Sequence, residues 1–288
     1  MRSKLFVPGS RPELFEKALN SSADALSFDL EDAVTEDKKN DARLFVKNFL
    51  NQIKNTDKKM IVRTNHVSSE HFKRDVQEVT SSGLSILNIP KVESSDEIKE
   101  AVRTLEIYEK EYEIKKKIKI LVNIESPKGL RIAADLAKSS DRVTGLQIGY
   151  GDLFSPLDIS RDNKSAIEKV MFTVRMAAGE ANIYAIDGAY TNVSNTKGYE
   201  EEATLARNFG FIGKSCVHPN QIEMANNIFR PSDEDIFYSL KVLNSLKDED
   251  KQSVGAFIVD GKMVDAPLFE KAKKIVAHAT KLGLLNTQ

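Results

Sequence analysis

The stretch Lys4-Leu5-Phe6-Val7-Pro8-Gly9-Ser10-Arg11-Pro12 reads as a short apolar strand that runs straight into a Pro-Gly turn. A doubly wound dinucleotide-binding sheet would place a GxGxxG loop at this point, and Pro8-Gly9-Ser10-Arg11-Pro12 is not one. Outward from it, β-branched or apolar runs recur at 25–29, 59–63, 86–89, 118–124, 143–148, 183–186 and 211–214, which with 4–7 makes eight. Amphipathic stretches separate them: Leu14, Phe15 and Leu19 share one helical face, as do Leu44, Val46, Phe49 and Leu50, and Ala133, Leu136 and Ala137. Repeated βα units imply a parallel sheet. Polar residues stand at the ends of many of these strands instead of at one switch point, the way a barrel builds its site from several strand ends. The expected fold is a (β/α)8 barrel.

A chain of 288 residues suits one large domain or at most two. It has no apolar run of membrane-spanning length, and a secretory leader is not expected. Cys216 is the sole cysteine, which excludes an internal disulfide and a thiolate metal cage and makes a cytoplasmic home the default expectation. The net charge is −1 and the basic residues are dispersed, which argues against nucleic acid as a partner. After the eighth unit the chain continues with a helix expected over 232–246, a hairpin over 255–265 around Asp260-Gly261, and a last helix from Pro267 with Leu268, Ala272, Ile275 and Val276 on its apolar side. The expected division is a barrel over 1–230 and a C-terminal extension over 231–288.

The strand ends carry the chemistry. Strand 2 runs into Asp29-Leu30-Glu31-Asp32, strand 3 ends at Arg63-Thr64-Asn65, strand 4 at Pro90-Lys91, strand 5 at Asn123-Ile124-Glu125-Ser126 and strand 6 at Gly149-Tyr150-Gly151-Asp152. Glu125 and Asp152 follow adjacent strands, which lie about 4.8 Å apart, so both carboxylates can reach one cation. An oxygen-only pair suits Mg2+ or Mn2+. The same residue types also cap helices, and Asp152 and Ser126 are both good N-cap residues; spacing leaves the two readings open. Arg63 can hold a carboxylate or a developing oxyanion, or it can pair with Asp29 or Glu31. Part of the acidic trio Asp29, Glu31 and Asp32 would order Arg63 and metal-bound waters from behind. The Asp41–Arg43 stretch reads as a solvated helix surface. His66, His71, His218 and His278 form no ligand pattern, and Cys216 reads as a packed small residue with no dyad partner.

Lys4-Leu5-Phe6-Val7-Pro8-Gly9-Ser10-Arg11-Pro12-Glu13, Asp29-Leu30-Glu31-Asp32-Ala33-Val34, Ile89-Pro90-Lys91, Ile124-Glu125-Ser126-Pro127, Gly149-Tyr150-Gly151-Asp152 and Gly261-Lys262-Met263-Val264-Asp265-Ala266-Pro267, in this order, resemble the HpcH/HpaI aldolase and citrate lyase β-subunit family, and its stand-alone malyl-CoA and citramalyl-CoA lyases most of all. The resemblance runs through essentially the whole chain. It implies a TIM barrel with Mg2+, or Mn2+ in its place, held by Glu125 and Asp152, and Arg63 at the substrate's reacting oxygens beside Gly151. It also implies a coenzyme A path along Phe6, Arg11 and Lys17, with the two cations on its phosphates. Asp265 matches the family's acid/base, contributed by a neighbouring subunit, so a homo-oligomer (a trimer or hexamer) is expected. The substrates it implies are an acyl-CoA and a 2-oxo acid, with no membrane or nucleic-acid partner.

Two departures bear on the substrate. The chain passes from Asp152 through Ser155-Pro156-Leu157-Asp158 to Asn163 without the insertion of longer malyl-CoA lyases, and its Gly149-Tyr150-Gly151-Asp152 differs from the Gly-Ala-Glu-Asp of citrate lyase β subunits. The expected reaction is cleavage of a hydroxy-dicarboxylic acyl-CoA to acetyl-CoA and a 2-oxo acid. The competing readings are a citrate lyase β subunit acting on an acyl-carrier-protein thioester, an acyl-CoA thioesterase and a non-catalytic scaffold.

Overall fold

The computed structural model describes residues 1–53, 56–245 and 256–285. The chain divides into two compact units, Met1–Phe229 and Arg230–Gln288. The first holds β1 (Ser3–Pro8), β2 (Ala25–Asp29), β3 (Lys59–Arg63), β4 (Ile86–Ile89), β5 (Lys119–Ile124), β6 (Val143–Ile148), β7 (Tyr184–Ile186) and β8 (Lys214–Cys216), with helices between them. The sheet order is β7-β6-β5-β4-β3-β2-β1-β8, and the pairings are parallel. The remaining seam closes where Ile212 N donates to Ala185 O at 3.0 Å, Asp187 N to Gly213 O at 2.9 Å and Ser215 N to Asp187 O at 3.0 Å. The (β/α)8 barrel expected from the strand runs is therefore the fold. No described helix is long and apolar enough to cross a membrane.

Strand residues alternate between two cores, as the period of two requires. Ala25, Ile61, Ile86, Leu121 and Ile186 form an apolar layer inside the barrel. Leu26, Phe28, Met60, Val62, Leu87 and Ile89 belong to the larger core that also holds the helices' apolar residues. Phe15, Phe28 and Phe49 interlock there at centroid separations of 4.8 to 5.4 Å. On β6 one residue, Thr144, is skipped in the pairing: Ile120 meets Val143 and Leu121 meets Gly145. This bulge sets the phase that brings Gln147 and Gly149 to the cavity at the strand's end.

Three local expectations are corrected. The eighth strand begins at Lys214, not at Phe211, because the Phe211 ring is buried in the outer core and the pairing residues are Lys214, Ser215 and Cys216. On the helix Lys39–Gln52 the buried stripe is Ala42, Val46, Phe49 and Leu50, and Leu44 lies off it at 48 % exposure. The Asp41–Arg43 stretch is not wholly solvated: Arg43 is 1 % exposed, with Nε donating to Asp75 Oδ1 at 2.6 Å, an ion pair between neighbouring helices.

In the second unit, helices Asp233–Ser245 and Ala266–Lys281 accompany an antiparallel hairpin of β9 (Ala256–Val259) and β10 (Lys262–Asp265). Asp260 and Gly261 turn it with φ of 47° and 76°, the positive values that a two-residue hairpin turn demands. Val242, Val259, Val264 and Ala272 form its small core. Leu246 and Gly255, where the expected helix ends and the hairpin begins, lie outside the described residues.

The barrel seam rests on a fully buried cation. Lys214 Nζ donates to Asp187 Oδ2 and Glu202 Oε1, both at 2.6 Å, and to Gly188 O at 2.9 Å. Lys214→Met leaves the buried Asp187 carboxylate without its counter-ion, while Glu202 keeps Arg161; it should cost about 3–5 kcal/mol, read as a lowered denaturant midpoint. A variant as stable as the parent would show that the seam closes without the pair.

Candidate active site

A cavity of about 750 Å3 opens where the strands end, with Phe6, Asp29, Arg63, Glu125, Gln147 and Asp152 in its wall. Asp29 and Arg63 are the last residues of β2 and β3 and Glu125 follows β5, each polar where its chain leaves the sheet; Phe6 and Gln147 lie within β1 and β6, and Asp152 lies in the helix after β6.

Asp29 organises one side. Its carboxylate accepts from Arg63 Nε and Nη2, each at 2.7 Å, and from the backbone N–H groups of Glu31 (3.1 Å) and Ala33 (3.0 Å). One side chain thus fixes the guanidinium and folds the loop after β2. Lys39 Nζ holds that loop from beneath, donating to the carbonyls of Leu30 (2.9 Å) and Glu31 (3.1 Å) and to Asn65 Oδ1 (2.7 Å). Arg63 Nη1 then lies 3.1 Å from Glu31 Oε2 and 3.3 Å from Asp32 Oδ2. Burial would raise the Asp29 carboxyl, but the two Arg63 bonds and its charge keep it below the usual range. Glu31 shows the opposite balance: burial pushes it up to about 7 despite Arg63 and Lys91. The salt bridge anticipated for Arg63 is real, and it leaves the cation held in the cavity wall.

Glu125 is 5 % exposed and makes no ion pair within 4 Å among the described residues; its Oε2 accepts from the Lys91 backbone N–H (2.9 Å) and its Oε1 from Asn123 Nδ2 (3.1 Å). Lys91 has φ of 51°, an uncommon conformation for a side-chain-bearing residue, and it is this residue's N–H that meets the carboxylate. A Cβ on Gly149 would stand 2.2 Å from Glu125 Oε1, so the carboxylate lies where only glycine leaves room. Burial first, and then Asp152's charge, raise the Glu125 pKa against Arg63 and Lys91. Asp152 sits in the first turn of the helix Tyr150–Phe154 and does not cap it, whereas Ser126 does cap the helix Pro127–Arg131 by accepting from Gly129 N at 3.0 Å. Of the two N-cap candidates, only the serine has that role. Lys91 Nζ lies 2.9 Å from Glu31 Oε1 and 3.9 Å from Asp152 Oδ2. On this side of the mouth the carboxylates of Asp29, Glu31, Asp32, Glu125 and Asp152 thus outnumber the cations Arg63 and Lys91.

The far wall was not anticipated. Tyr150 Oη donates to Asp187 Oδ1 at 3.0 Å, and Gly188 leaves the space that its ring occupies. Arg161 stacks on that ring at 4.3 Å and forks onto Glu202 at 2.6 and 2.7 Å. The partners come from separate strands and helices, so no local motif announces them. Gln147 stands out in the sequence only as a member of its strand run, although a polar residue facing into a barrel is itself a signal.

Phe6 lines the cavity, and its ring carries Lys4 Nζ 3.7 Å from the centroid and Arg63 Cζ at 5.3 Å. Burial, then the Arg63 charge, holds the Lys4 pKa well below the usual lysine range against Asp29 and Glu125. Gly151 lines the cavity and a Cβ there would meet open space. Arg11 and Lys17 are exposed outside the wall, Arg11 pairing with Glu13 at 2.8 Å. Asp265 belongs to the second unit and caps the helix Ala266–Lys281, its Oδ1 accepting from Leu268 N at 3.1 Å. Glu36, Glu70 and His71 cluster elsewhere, but His71 Nδ1 accepts from Arg43 Nη2 at 2.8 Å, so Nε2 carries the hydrogen that meets Glu36 and neither nitrogen is free to ligate. Cys216 is buried against the Tyr199 hydroxyl at 3.3 Å, and burial pushes its thiol up to about 11, as suits an inert packed residue.

Residues 2–219 match the sequence profile described as HpcH/HpaI aldolase/citrate lyase. The citrate lyase subunit beta of Haemophilus influenzae is 32% identical over 281 residues, covering 96% of each chain. A (3S)-malyl-CoA thioesterase of Cereibacter sphaeroides is 30% identical over 283 residues, 98% of this chain and 95% of the relative. Among solved structures, CitE from Mycobacterium tuberculosis in complex with magnesium, acetoacetate and coenzyme A superposes with a TM-score of 0.75 at 27% identity, covering 97% of this chain and 100% of that one. The profile spans most of the barrel and the relatives span nearly the whole chain, so this protein belongs to the HpcH/HpaI aldolase/citrate lyase family and is a carbon–carbon lyase of that family.

Proposed function

We propose that the chain is a Mg2+-dependent lyase that cleaves a short hydroxy-dicarboxylic acyl-CoA, of the citramalyl-CoA or malyl-CoA type, to acetyl-CoA and a 2-oxo acid, and that Mn2+ can replace Mg2+. The observation that carries this reading is the Glu125 carboxylate, buried, bonded only to N–H donors and facing the same cavity as Asp152. A buried carboxylate without a counter-ion is costly, and a mouth with surplus acid offsets that cost by binding a cation. The donors are all oxygen, the set that suits a hard divalent ion. The M. tuberculosis relative bound to magnesium, acetoacetate and coenzyme A supports the same assignment.

Glu125 and Asp152 would hold the cation, which when bound supplies Lewis-acid polarisation and a template for the oxo acid. Arg63, locked by Asp29, is a fixed donor for negative charge on the reacting oxygen. As the substrate hydroxyl gives its proton to the Asp265 carboxylate and the carbon–carbon bond breaks, the electron pair passes to the acetyl thioester as its enolate. Asp265 then returns a proton to the enolate carbon; reversal is a Claisen-type condensation. Phe6 and Gly151 would border the acyl-CoA, and the exposed Arg11 and Lys17 would take its phosphates. Residues 231–288 would bring Asp265 to a neighbouring subunit's mouth, which makes the working form a homo-oligomer. Hydrolysis of the thioester is the second reading, favoured by the (3S)-malyl-CoA thioesterase relative.

Incubation of citramalyl-CoA, malyl-CoA and citryl-CoA with and without Mg2+ should yield acetyl-CoA and keto acid from one of them, only with the metal; free hydroxy acid without keto acid would replace lysis by hydrolysis. Gly149→Ala should displace Glu125 and weaken Mg2+ binding about 10–100-fold, whereas unchanged affinity would remove Glu125 from the metal. Asp265→Asn keeps an equally good helix cap, so it should abolish turnover at unchanged thermal stability and metal affinity; an active variant refutes the acid role. Co-expressed Glu125→Gln and Asp265→Asn chains, each inactive alone, should regain about a quarter of parental activity if sites are shared between subunits and assortment is random. No recovery would place both groups on one chain.

A further inference from the structure

Barrels usually fill their interior with branched apolar side chains, and here the layer of Ala25, Ile61, Ile86, Leu121 and Ile186 does so. Lys4, Asn88 and Asn123 are also fully buried, one on each of β1, β4 and β5. Lys4 Nζ donates to Asn88 Oδ1 at 3.4 Å. Asn88 Nδ2 donates to Asn123 Oδ1 at 2.7 Å and to the Leu121 carbonyl at 3.1 Å. Asn123 Nδ2 donates to Glu125 Oε1 at 3.1 Å.

These bonds all run in one direction. A carboxylate only accepts, an ammonium only donates, and each primary amide can present either end. The lysine amine is the donor here, and Asn88 meets it with its carbonyl oxygen. That choice turns the Asn88 amide nitrogen to Asn123, whose oxygen is then occupied and whose nitrogen is left for Glu125. With an apolar group in place of the amine, the buried Asn88 oxygen loses its donor and the amide is held at its nitrogen end alone, by Asn123 and the Leu121 carbonyl. The amide pair is then less firmly seated, and so is the Asn123 N–H that meets Glu125.

We propose that Lys4 is a positioning residue: through the Asn88–Asn123 amide pair it fixes the Glu125 carboxylate in the cavity wall with its open lone pairs available to a divalent cation. This rests on the reading of Glu125 as a cation ligand.

The test is the dissociation constant of Mn2+ alone, read by electron paramagnetic resonance on the full-length protein, with the melting temperature as a check of folding. Lys4→Met should weaken Mn2+ binding about tenfold or more, the usual effect of losing a partner that orients a ligand. Asn88→Leu should do the same, and the double variant should be no weaker than the weaker single, because all three break one chain of bonds. A Lys4→Met protein that binds Mn2+ as tightly as the parent, or more tightly as removal of a nearby repelling charge would cause, overturns the proposal. Losses that multiply in the double variant overturn it as well. If Lys4→Met does not fold, Asn88→Leu decides alone, and unchanged affinity there is fatal. Glu125→Gln separates the two levels. If the parent binds no Mn2+, or Glu125→Gln binds it as well as the parent, the ligand assignment itself falls and Lys4's role falls with it.

Discussion

A carboxylate taken out of water without a counter-ion is among the most expensive groups a protein can bury, and Glu125 is placed in that condition by three strands at once. β5 delivers the residue and, through Asn123, one donor; the residue after Pro90, beyond β4, offers its backbone N–H from a left-handed conformation; and Gly149, after β6, withholds the Cβ that would fill the space. None of these contacts neutralises the charge. They hold the oxygens still while leaving the electrostatic deficit in place, which suits a site whose remaining partner is a cation and a substrate.

Arg63 sits at the other extreme. Its guanidinium is committed to Asp29 through two short bonds and neighbours two further acids. Such a cation loses little freedom when an anionic oxygen arrives, so in the proposed reaction it would stabilise developing charge without rearrangement. Lysine could not replace it, since a point ammonium cannot hold the planar fork onto Asp29 and face the cavity as well. The far wall repeats the device, with Arg161 forked onto Glu202 and stacked on Tyr150, so both guanidiniums at this mouth are held by their own carboxylates.

The barrel and most of its mouth were legible in the sequence because each βα unit announces itself locally: an apolar run, then a polar residue where the chain leaves the sheet. Asp29, Arg63, Lys91, Glu125 and Asp152 all stand at such points. What escaped depends on relations between distant segments. Arg43 reads as a surface charge until Asp75, on another helix, is found 2.6 Å away. Phe211 and Ile212 look like strand residues, yet the pairing with β1 falls on Lys214, Ser215 and Cys216, and Lys214 finds its partner Asp187 only across the seam. The polar interior was hidden for a related reason: whether Lys4, Asn88 or Gln147 faces into the barrel depends on strand phase, and on β6 that phase is reset by a bulge invisible in composition.

That interior argues for its own purpose. Buried ionic and polar groups are weak sources of stability, and replacing a buried ion pair with well-packed apolar side chains often gains about 1–4 kcal/mol. A barrel built for stability alone would continue the Ile61–Leu121–Ile186 layer up to the mouth. Here the apolar packing gives way to Lys4, Asn88, Asn123 and Gln147 in the strand positions leading to the carboxylates. Hydrogen bonds have direction and dispersion contacts do not, so polar residues are the ones able to set the orientation of a carboxylate as well as its depth. The layer beneath the mouth gives up packing energy for orientation, and the benefit appears only at the one side chain, Glu125, to which that orientation is passed.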